Sequence, residues 1–364
     1  MSTATLTPEA TTTLWYTRCP CPTAFSVAWQ LGHLREEFDA SEGVEFLSLQ
    51  QSKDPRVLAS HFSHTQPNSF RFGGNIPALW ARSLGADSRL VGLAWVRTPH
   101  PILALPSSGI ETVADLKGKR LLVPRRRDTS VVDFPRATTL RTYESSLATA
   151  GLTLDDVQLV DLPIDRPIVD PKAAAASTNQ SLGNVFSRHN LNREVLFALI
   201  RGEVDAITFQ GTTGTELTAL LGAHVVHDIG LSHEDPVLRS NNGGPEALTI
   251  SGKLIEERPD LVARVVAQLL EAGEWAKTHH EESVRFVARE QYLAEEIVES
   301  TYGSSLDQVF QTNLTDDKVA GVRAQKDFLL RHDFIQDFDF ESWIDPRPLR
   351  WAKELLARKG NGAL

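Results

Sequence analysis

Three short motifs in the first quarter of the chain carry side chains that could do chemistry. They are CPCP at residues 19–22, HFSHTQP at residues 61–67 and RFGGNIP at residues 71–77. A cysteine thiolate becomes a strong nucleophile when a cation or a histidine stabilises it. An arginine close to a helix that begins after two glycines can bind two oxygens of a small anion. The motifs together indicate a cysteine-dependent reaction on a small anion.

Cys19 is the first candidate for a reacting group. It follows a short apolar stretch that predicts a strand, and ligands of open α/β sheets bind at the carboxyl ends of strands. Nucleophilic cysteines are commonly paired with a histidine that is distant in sequence, and His61 is such a partner. The competing interpretation is that Cys19 and Cys21 are small buried side chains without a chemical role.

Arg71 and the two glycines at positions 73 and 74 form the candidate anion site. Gly73 and Gly74 allow the backbone to approach a ligand closely. The sequence predicts Asn75 as the N-cap of a helix whose free N–H groups attract negative charge. The competing interpretation is a glycine turn that begins a structural helix, with Arg71 in solvent.

Metal and nucleotide sites lack support in the sequence. The close histidine pairs are not accompanied by the cysteines or carboxylates of known metal motifs; outside the second motif these histidines are His224, His227, His279 and His280. Neither a Walker A loop nor a G-x-G-x-x-G turn is present. We therefore expect no metal and no organic cofactor.

The composition is that of an ordinary globular protein with room for two domains. The chain has 364 residues, of which 41% are hydrophobic and 23% charged. The net charge of −10 and the short basic run at residues 125–127 argue against nucleic-acid binding. No apolar run reaches the roughly 18 residues of a membrane span. The start lacks the pattern of a secretory signal, so we expect a cytoplasmic protein with reduced thiols. We also expect a monomer that does not attach to membranes.

Strand-like and helix-like segments alternate along the chain. This order predicts an α/β protein with parallel sheets. Apolar spacing from Phe25 to Phe38 predicts one helix there. We expect residues 1–103 and 216–364 to form one lobe and residues 104–215 to form the other. The Pro- and Ala-rich residues 161–190 are a candidate lid.

Three further segments resemble the sulfonate, nitrate and taurine type of solute-binding proteins. They are ADLKGKR at residues 114–120, LIRGEVDA at residues 199–206 and RPDLV at residues 258–262. The resemblance implies the two-lobed, periplasmic-binding-protein-like type II fold. In that fold each lobe is a mainly parallel sheet flanked by helices, and the ligand cleft lies between the lobes.

The three N-terminal motifs are similar to those of the aromatic sulfinate desulfinases of dibenzothiophene desulfurisation, whose patterns are NCPxP, HFxxxQP and RFGGxIP. This sequence differs by having Arg18, Cys21 and Asn75 within the matched positions. The resemblance implies hydrolysis of 2'-hydroxybiphenyl-2-sulfinate or a close analogue to the arene or phenol and sulfite, without a cofactor. It implies that the catalytic residues are Cys19, His61 and Arg71, and that Gly73 and Gly74 help to bind the sulfinate.

Three aromatic residues are expected to contact the substrate ring from their positions alone: Phe25, Trp29 and Phe62. Two chemical routes stay open, since Cys19 could attack sulfur as a thiolate or protonate the ring carbon as a thiol. The alternative function is a non-catalytic small-anion solute-binding protein of an ABC transporter. Another cysteine enzyme of this fold, related to thiamine-pyrimidine synthases, is disfavoured because the CCCFC motif of that family is absent.

Overall fold

The computed structural model describes residues 12–18, 21–39, 43–165 and 192–361. The strands in these ranges are β1 (Thr12–Arg18), β2 (Val44–Ser48), β3 (Ser69–Gly73), β4 (Ser88–Ala94), β5 (Pro101–Ala104), β6 (Arg120–Arg126), β7 (Gln158–Ile164), β8 (Ile207–Thr208), β9 (His224–Asp228) and β10 (Glu246–Ser251).

The helices of the first half are short, apart from the one that follows β6. In the same ranges they are α1 (Ala24–Gln30), α2 (His33–Asp39), α3 (Pro55–Ser63), α4 (Asn75–Ser83), α5 (Phe134–Ala148), α6 (192–200), α7 (Gly211–Leu221), α8 (Ile229–Ser232), α9 (Pro236–Arg239), α10 (Gly252–Glu257), α11 (Pro259–Ala276), α12 (His280–Gln291), α13 (Glu295–Tyr302), α14 (Asp316–Arg331) and α15 (Arg347–Asn361).

The large sheet has the strand order β2-β1-β3-β10-β4. Alternation along β1 sends Leu14 and Tyr16 into a hydrophobic core that the sheet shares with α1 and α11. Thr17 is also buried, but it belongs to the opposite face of the strand. This opposite face carries the candidate site.

The other strands form a second strand group, β5 to β9. β5 pairs antiparallel with β8 and β9, and β6 pairs in parallel with β7. An isolated bridge from Leu121 to Ala206 links β6 to the residue before β8. The chain enters this group through β5 and leaves it through β9, so the two connections lie side by side.

The α/β architecture with sheets flanked by helices is confirmed, and each strand group contains antiparallel pairs beside its parallel ones. β10 runs antiparallel to both β3 and β4. The reason is that the chain leaves the large sheet at the carboxyl end of β4 and returns from the second strand group to the same edge. β10 therefore begins at this edge and must run in the opposite direction.

Two further expectations differ from the structure. The helix expected from Phe25 to Phe38 is broken into α1 and α2, because Gly32 has a positive φ of 87° that ends the first helix. The start of the candidate lid at residues 161–190 belongs to β7, and residues 166–190 lie outside the described ranges.

Candidate active site

Thr17 and Arg71 are neighbours on adjacent parallel strands at the carboxyl edge of the large sheet. β1 and β3 pair with Thr17 opposite Arg71 and Arg18 opposite Phe72. On the other side of β3, Thr249 of β10 is also opposite Arg71. Two threonines therefore flank the arginine on the face of the sheet away from Tyr16.

His61 lies on α3, next to Thr17. α3 begins at Pro55 after Asp54, whose carboxylate accepts a hydrogen bond from the N–H of Arg56. His61 is in the last turn of this helix, and its Nδ1 is 2.7 Å from Oγ1 of Thr17. The same hydroxyl oxygen accepts a 2.8 Å hydrogen bond from Nε2 of Gln50. This network holds the imidazole in one orientation through its Nδ1 atom. The other ring nitrogen, Nε2, is not part of this network.

Arg71 is only 3% exposed and contacts the same helix. Its Nε–H donates a 2.8 Å hydrogen bond to the main-chain oxygen of His61. Thr17 and Arg71 also line one small cavity of about 10 Å³. The structure thus brings His61 and Arg71 together, as their assignment to one site requires.

His64 is a member of this cluster that the sequence analysis did not single out. It follows α3 in the left-handed region with φ 52°, and its Nδ1 is 3.5 Å from Oγ1 of Thr249. Burial, and then the electrostatic effect of the neighbouring Arg71 and His61 side chains, hold the pKa of His64 well below its ordinary value. His64 is therefore neutral near pH 7. Its three-residue spacing from His61 was the available signal, because this spacing places both side chains near the same end of the helix.

Gly74 begins α4 in close contact with Asn242. The main-chain oxygen of Asn242 accepts from the N–H of Asn75 at 3.0 Å, and its Oδ1 accepts from the N–H of Ile76 at 3.0 Å. A Cβ atom at Gly74 would lie 2.6 Å from Oδ1 of Asn242. Glycine is thus required at this position by space rather than by φ.

The expectation that Asn75 caps α4 is wrong. Gly74 is the N-cap residue, and Asn75 is the first residue of the helix. The Asn75 side chain is wholly buried and donates through Nδ2 to the carbonyl oxygens of Asn241 and Pro245. A residue distant in sequence, Asn242, supplies the acceptors that a local cap would otherwise supply.

A larger cavity of about 250 Å³ lies between α5, β6, β8 and the segment around Asn242. Its lining includes apolar side chains from the second strand group, among them Leu122, Phe134, Val195 and Phe209. Phe62 stacks on Phe134 with 6.0 Å between ring centroids, and Phe62 also contacts the ring of His61 at 4.7 Å. Contacts of two lining residues, Phe134 and Asn242, therefore connect the cavity wall to Phe62 beside His61 and to the start of α4.

Two of the expected ring-contacting residues lie elsewhere. Phe25 is fully buried and its ring stacks on the ring of Tyr16. Trp29 also packs against Tyr16, with 4.9 Å between the two ring centroids. Both belong to the core side of β1, opposite to Thr17, because successive residues of a strand face opposite ways. Phe62 is the member of the three that the structure brings to His61.

Cys19 lies outside the described residues, and β1 ends one residue before it at Arg18. Cys21 is described and is partly exposed. Among the described residues, no group of three or more His, Cys, Asp or Glu side chains could hold a metal ion. Over the same part of the chain, no helix combines the length and the apolar character that crossing a membrane requires.

Comparison with known proteins gives matches over almost the whole chain. No protein-family model matches. The 2'-hydroxybiphenyl-2-sulfinate desulfinases of Rhodococcus erythropolis and Rhodococcus qingshengii are each 29% identical over an alignment of 355 positions, and the alignment covers 92% of this chain and 92% of theirs.

Solved structures give the same result for the fold. A Cys-to-Ser variant of the desulfinase DSZB in complex with biphenyl-2-sulfinic acid matches with a TM-score of 0.73 and 27% identity, covering 95% of this chain and 99% of that one. The periplasmic aliphatic sulphonate binding protein SsuA of Escherichia coli matches with a TM-score of 0.61 and 19% identity, covering 91% and 97% of the two chains. The chain therefore has the two-lobed fold of the sulfonate-binding proteins and is similar, over nearly its full length, to the aromatic sulfinate desulfinases.

Proposed function

We propose that this protein is a cofactor-independent hydrolase that removes the sulfinate group of an aryl sulfinate, namely 2'-hydroxybiphenyl-2-sulfinate or a close analogue. The products are the arene or phenol and sulfite. The observation that carries this proposal is the full-length similarity to desulfinases of that substrate, one relative of which was solved with biphenyl-2-sulfinic acid. The pairing of His61 with Arg71 at the carboxyl edge of the large sheet supports it independently.

Cys19 is the proposed reacting thiol. It follows Arg18, the last residue of β1, in the sequence. It is also two positions beyond Thr17, the residue that contacts His61. This closeness in sequence supports the proposal that the thiol is paired with this imidazole.

Arg71 and the Gly73-Gly74 backbone are the proposed sulfinate site. A guanidinium matches the two oxygens of a sulfinate in geometry and charge. Asn242 already uses the N–H groups of Asn75 and Ile76. We therefore assign the N–H of Gly74 as the donor from this helix start.

Carbon–sulfur cleavage can follow two balanced routes. In the first, the Cys19 thiolate attacks sulfur, the aryl group leaves with the bonding electrons and takes a proton, and water then releases sulfite from the S–S intermediate. In the second, the Cys19 thiol protonates the ring carbon, sulfur dioxide leaves, and its hydration to bisulfite returns the proton to Cys19. His61 orients the thiol and exchanges its proton in both routes.

Further parts of the proposal concern the context of the site. We assign residues 1–103 and 216–364 to the lobe that carries Cys19, His61 and Arg71, and residues 104–215 to the lobe that forms the opposite wall. The protein acts as a monomer, and a reactive thiol favours a reducing compartment, the cytoplasm.

A second candidate is a solute-binding protein for a sulfonate-like anion. The fold similarity to SsuA favours it. It requires the anion site but has no use for a thiol paired with an imidazole.

The two candidates are separated by incubating the protein with a panel of aryl sulfinates and measuring sulfite together with ligand affinity. The desulfinase releases one sulfite per arene formed. Tight binding of the sulfinates without any sulfite would instead establish the binding protein.

A further inference from the structure

Two side chains that line the large cavity each have a buried polar atom that makes no hydrogen bond to any residue that the structure describes. These atoms are Oγ1 of Thr138, on α5, and Nε2 of Gln210, which precedes α7. Gln210 is the N-cap residue of α7, yet its side chain does not cap the helix. Both side chains line the same cavity from different elements of the second strand group.

Two other threonines of the cavity wall have partners in the fold. The hydroxyl of Thr208 donates to the main-chain oxygen of Pro101 at 2.7 Å. Thr142 donates to the main-chain oxygen of Thr138 at 3.2 Å, so the backbone of Thr138 is engaged although its hydroxyl is not. Thr138 and Gln210 thus differ from Thr208 and Thr142, and a buried polar atom without a partner is unfavourable in a folded protein.

The cavity is larger than a single aromatic ring with a sulfinate group requires. Its volume is about 250 Å³. An engineered cavity of roughly 150 Å³ in another protein is sufficient to bind benzene. A biphenyl skeleton or a substituted ring is therefore the size of ligand that fits this space.

The cavity adjoins the proposed sulfinate site at two points. Phe134 lines it and stacks on Phe62, the neighbour of His61. Asn242 also lines it and contacts the helix start at Gly74. A sulfinate bound at Arg71 and Gly74 would therefore extend its ring system towards Thr138 and Gln210.

We propose that Thr138 and Gln210 are specificity-determining residues that bind a hydroxyl group carried by the ring system of the aryl sulfinate. This inference rests on the proposed function and identifies the residues that recognise the hydroxyl substituent of the ring. The amide of Gln210 donates to the hydroxyl oxygen, and the hydroxyl of Thr138 takes the complementary role. A ring hydroxyl both donates and accepts, so it satisfies this pair for either orientation of the amide.

The test uses two ligands that differ only in the hydroxyl group, 2'-hydroxybiphenyl-2-sulfinate and biphenyl-2-sulfinate. Affinity is measured by calorimetry and turnover by sulfite release, for the wild type and for Thr138→Val and Gln210→Leu. We expect the wild type to prefer the hydroxylated ligand about tenfold. Each variant is expected to lose most of that preference while its affinity for biphenyl-2-sulfinate changes less than twofold.

Matched variants distinguish recognition from damage to the fold. Thr138→Ser keeps the hydroxyl and is expected to retain the preference. Thr208→Val makes the same substitution in the same wall, but its hydroxyl is used by Pro101, so its preference is also expected to remain. The ratio of the two affinities in one preparation is independent of the fraction of active protein.

The outcomes separate this inference from the proposed function. Equal affinities of the wild type for both ligands, or an unchanged preference in Thr138→Val and Gln210→Leu, would overturn the inference even if sulfite is released. A preference that disappears in the variants, without sulfite from either ligand, would uphold the inference for binding and refute the desulfinase. Failure to bind either ligand would refute both.

Discussion

The Nε–H of Arg71 donates a 2.8 Å hydrogen bond to the main-chain oxygen of His61. This bond joins β3 to the last turn of α3, so the guanidinium and the imidazole occupy fixed positions relative to each other. Thr17 completes the arrangement from β1 through its contact with Nδ1 of His61. A bound sulfinate would therefore meet a preorganised cation and imidazole rather than mobile side chains.

Replacement of Arg71 tests the anion site. Arg71→Ala removes the charged donor and its bond to His61, so we expect kcat/KM for an aryl sulfinate to fall by roughly 10- to 100-fold. Steady-state kinetics and ligand affinity measure this effect. Arg89→Ala on β4 removes an arginine that is paired with Asp87, and it is the charge control. Unchanged kinetics in Arg71→Ala would remove this residue from the site.

Replacement of Thr17 tests how His61 is positioned. Thr17→Val deletes the hydroxyl that contacts Nδ1 but keeps the shape of the side chain. We expect kcat to fall by about tenfold with little change in KM, because the ligand-binding groups stay in place. Thr17→Ser restores the hydroxyl and is expected to restore most of kcat. A loss in Thr17→Ser as large as that in Thr17→Val would argue against a role for the hydroxyl.

The contact between Gly74 and Asn242 predicts a non-additive pair of substitutions. Gly74→Ala places a Cβ 2.6 Å from Oδ1 of Asn242 and is expected to cost about 1–3 kcal/mol of unfolding free energy. Asn242→Ala removes an acceptor of the Ile76 N–H and is expected to cost about 1 kcal/mol. In the double variant the clash is absent, so urea denaturation should give a total below the sum of the two. Strict additivity would show that the two residues do not contact each other.

Much of the site was predictable from the sequence because it is local to three motifs. The RFGGNIP segment predicts a glycine turn that leads into a helix, and α4 begins in this segment at Asn75. The parallel pairing of β1 with β3 then brings distant motifs to one edge of the sheet. The assignment of His61 and Arg71 to one site came from the resemblance to the desulfinase motifs, and the hydrogen bond between them agrees with it.

Other parts depended on long-range packing that local patterns do not encode. Asn242 replaces the expected local cap of α4 from a position far along the chain. Phe25 and Trp29 were expected to contact the substrate because of their positions in the sequence. In the structure they pack against Tyr16 on the core side of β1. The antiparallel insertion of β10 follows from the route of the chain between the two strand groups, which no single segment specifies.

Buried histidines predict a loss of stability at acidic pH. Burial, and then the positive charge of Arg239, lower the pKa of His100 from its ordinary 6.5 to about 4. The unfolded chain therefore binds a proton at this residue below pH 6.5, while the folded protein does not until about pH 4. The contribution of His100 to the unfolding free energy falls as the pH is lowered through this window.

The variant His100→Gln isolates that contribution. Urea denaturation of the wild type and the variant between pH 7 and pH 4.5 should show a shallower decline in the variant, because one titrating group is absent. This pH range covers most of the window between the unfolded and folded pKa values of His100. Identical slopes for the two proteins would mean that His100 is protonated equally in the folded and unfolded states.

The central claim is that the thiol of Cys19 reacts on a sulfinate bound beside His61 and Arg71. The most direct measurement is sulfite release from 2'-hydroxybiphenyl-2-sulfinate by the wild type, Cys19→Ser and Cys21→Ser, with the affinity of each protein for the same ligand. The account predicts sulfite from the wild type and from Cys21→Ser, and binding without sulfite from Cys19→Ser. Sulfite release by Cys19→Ser at the wild-type rate would contradict it.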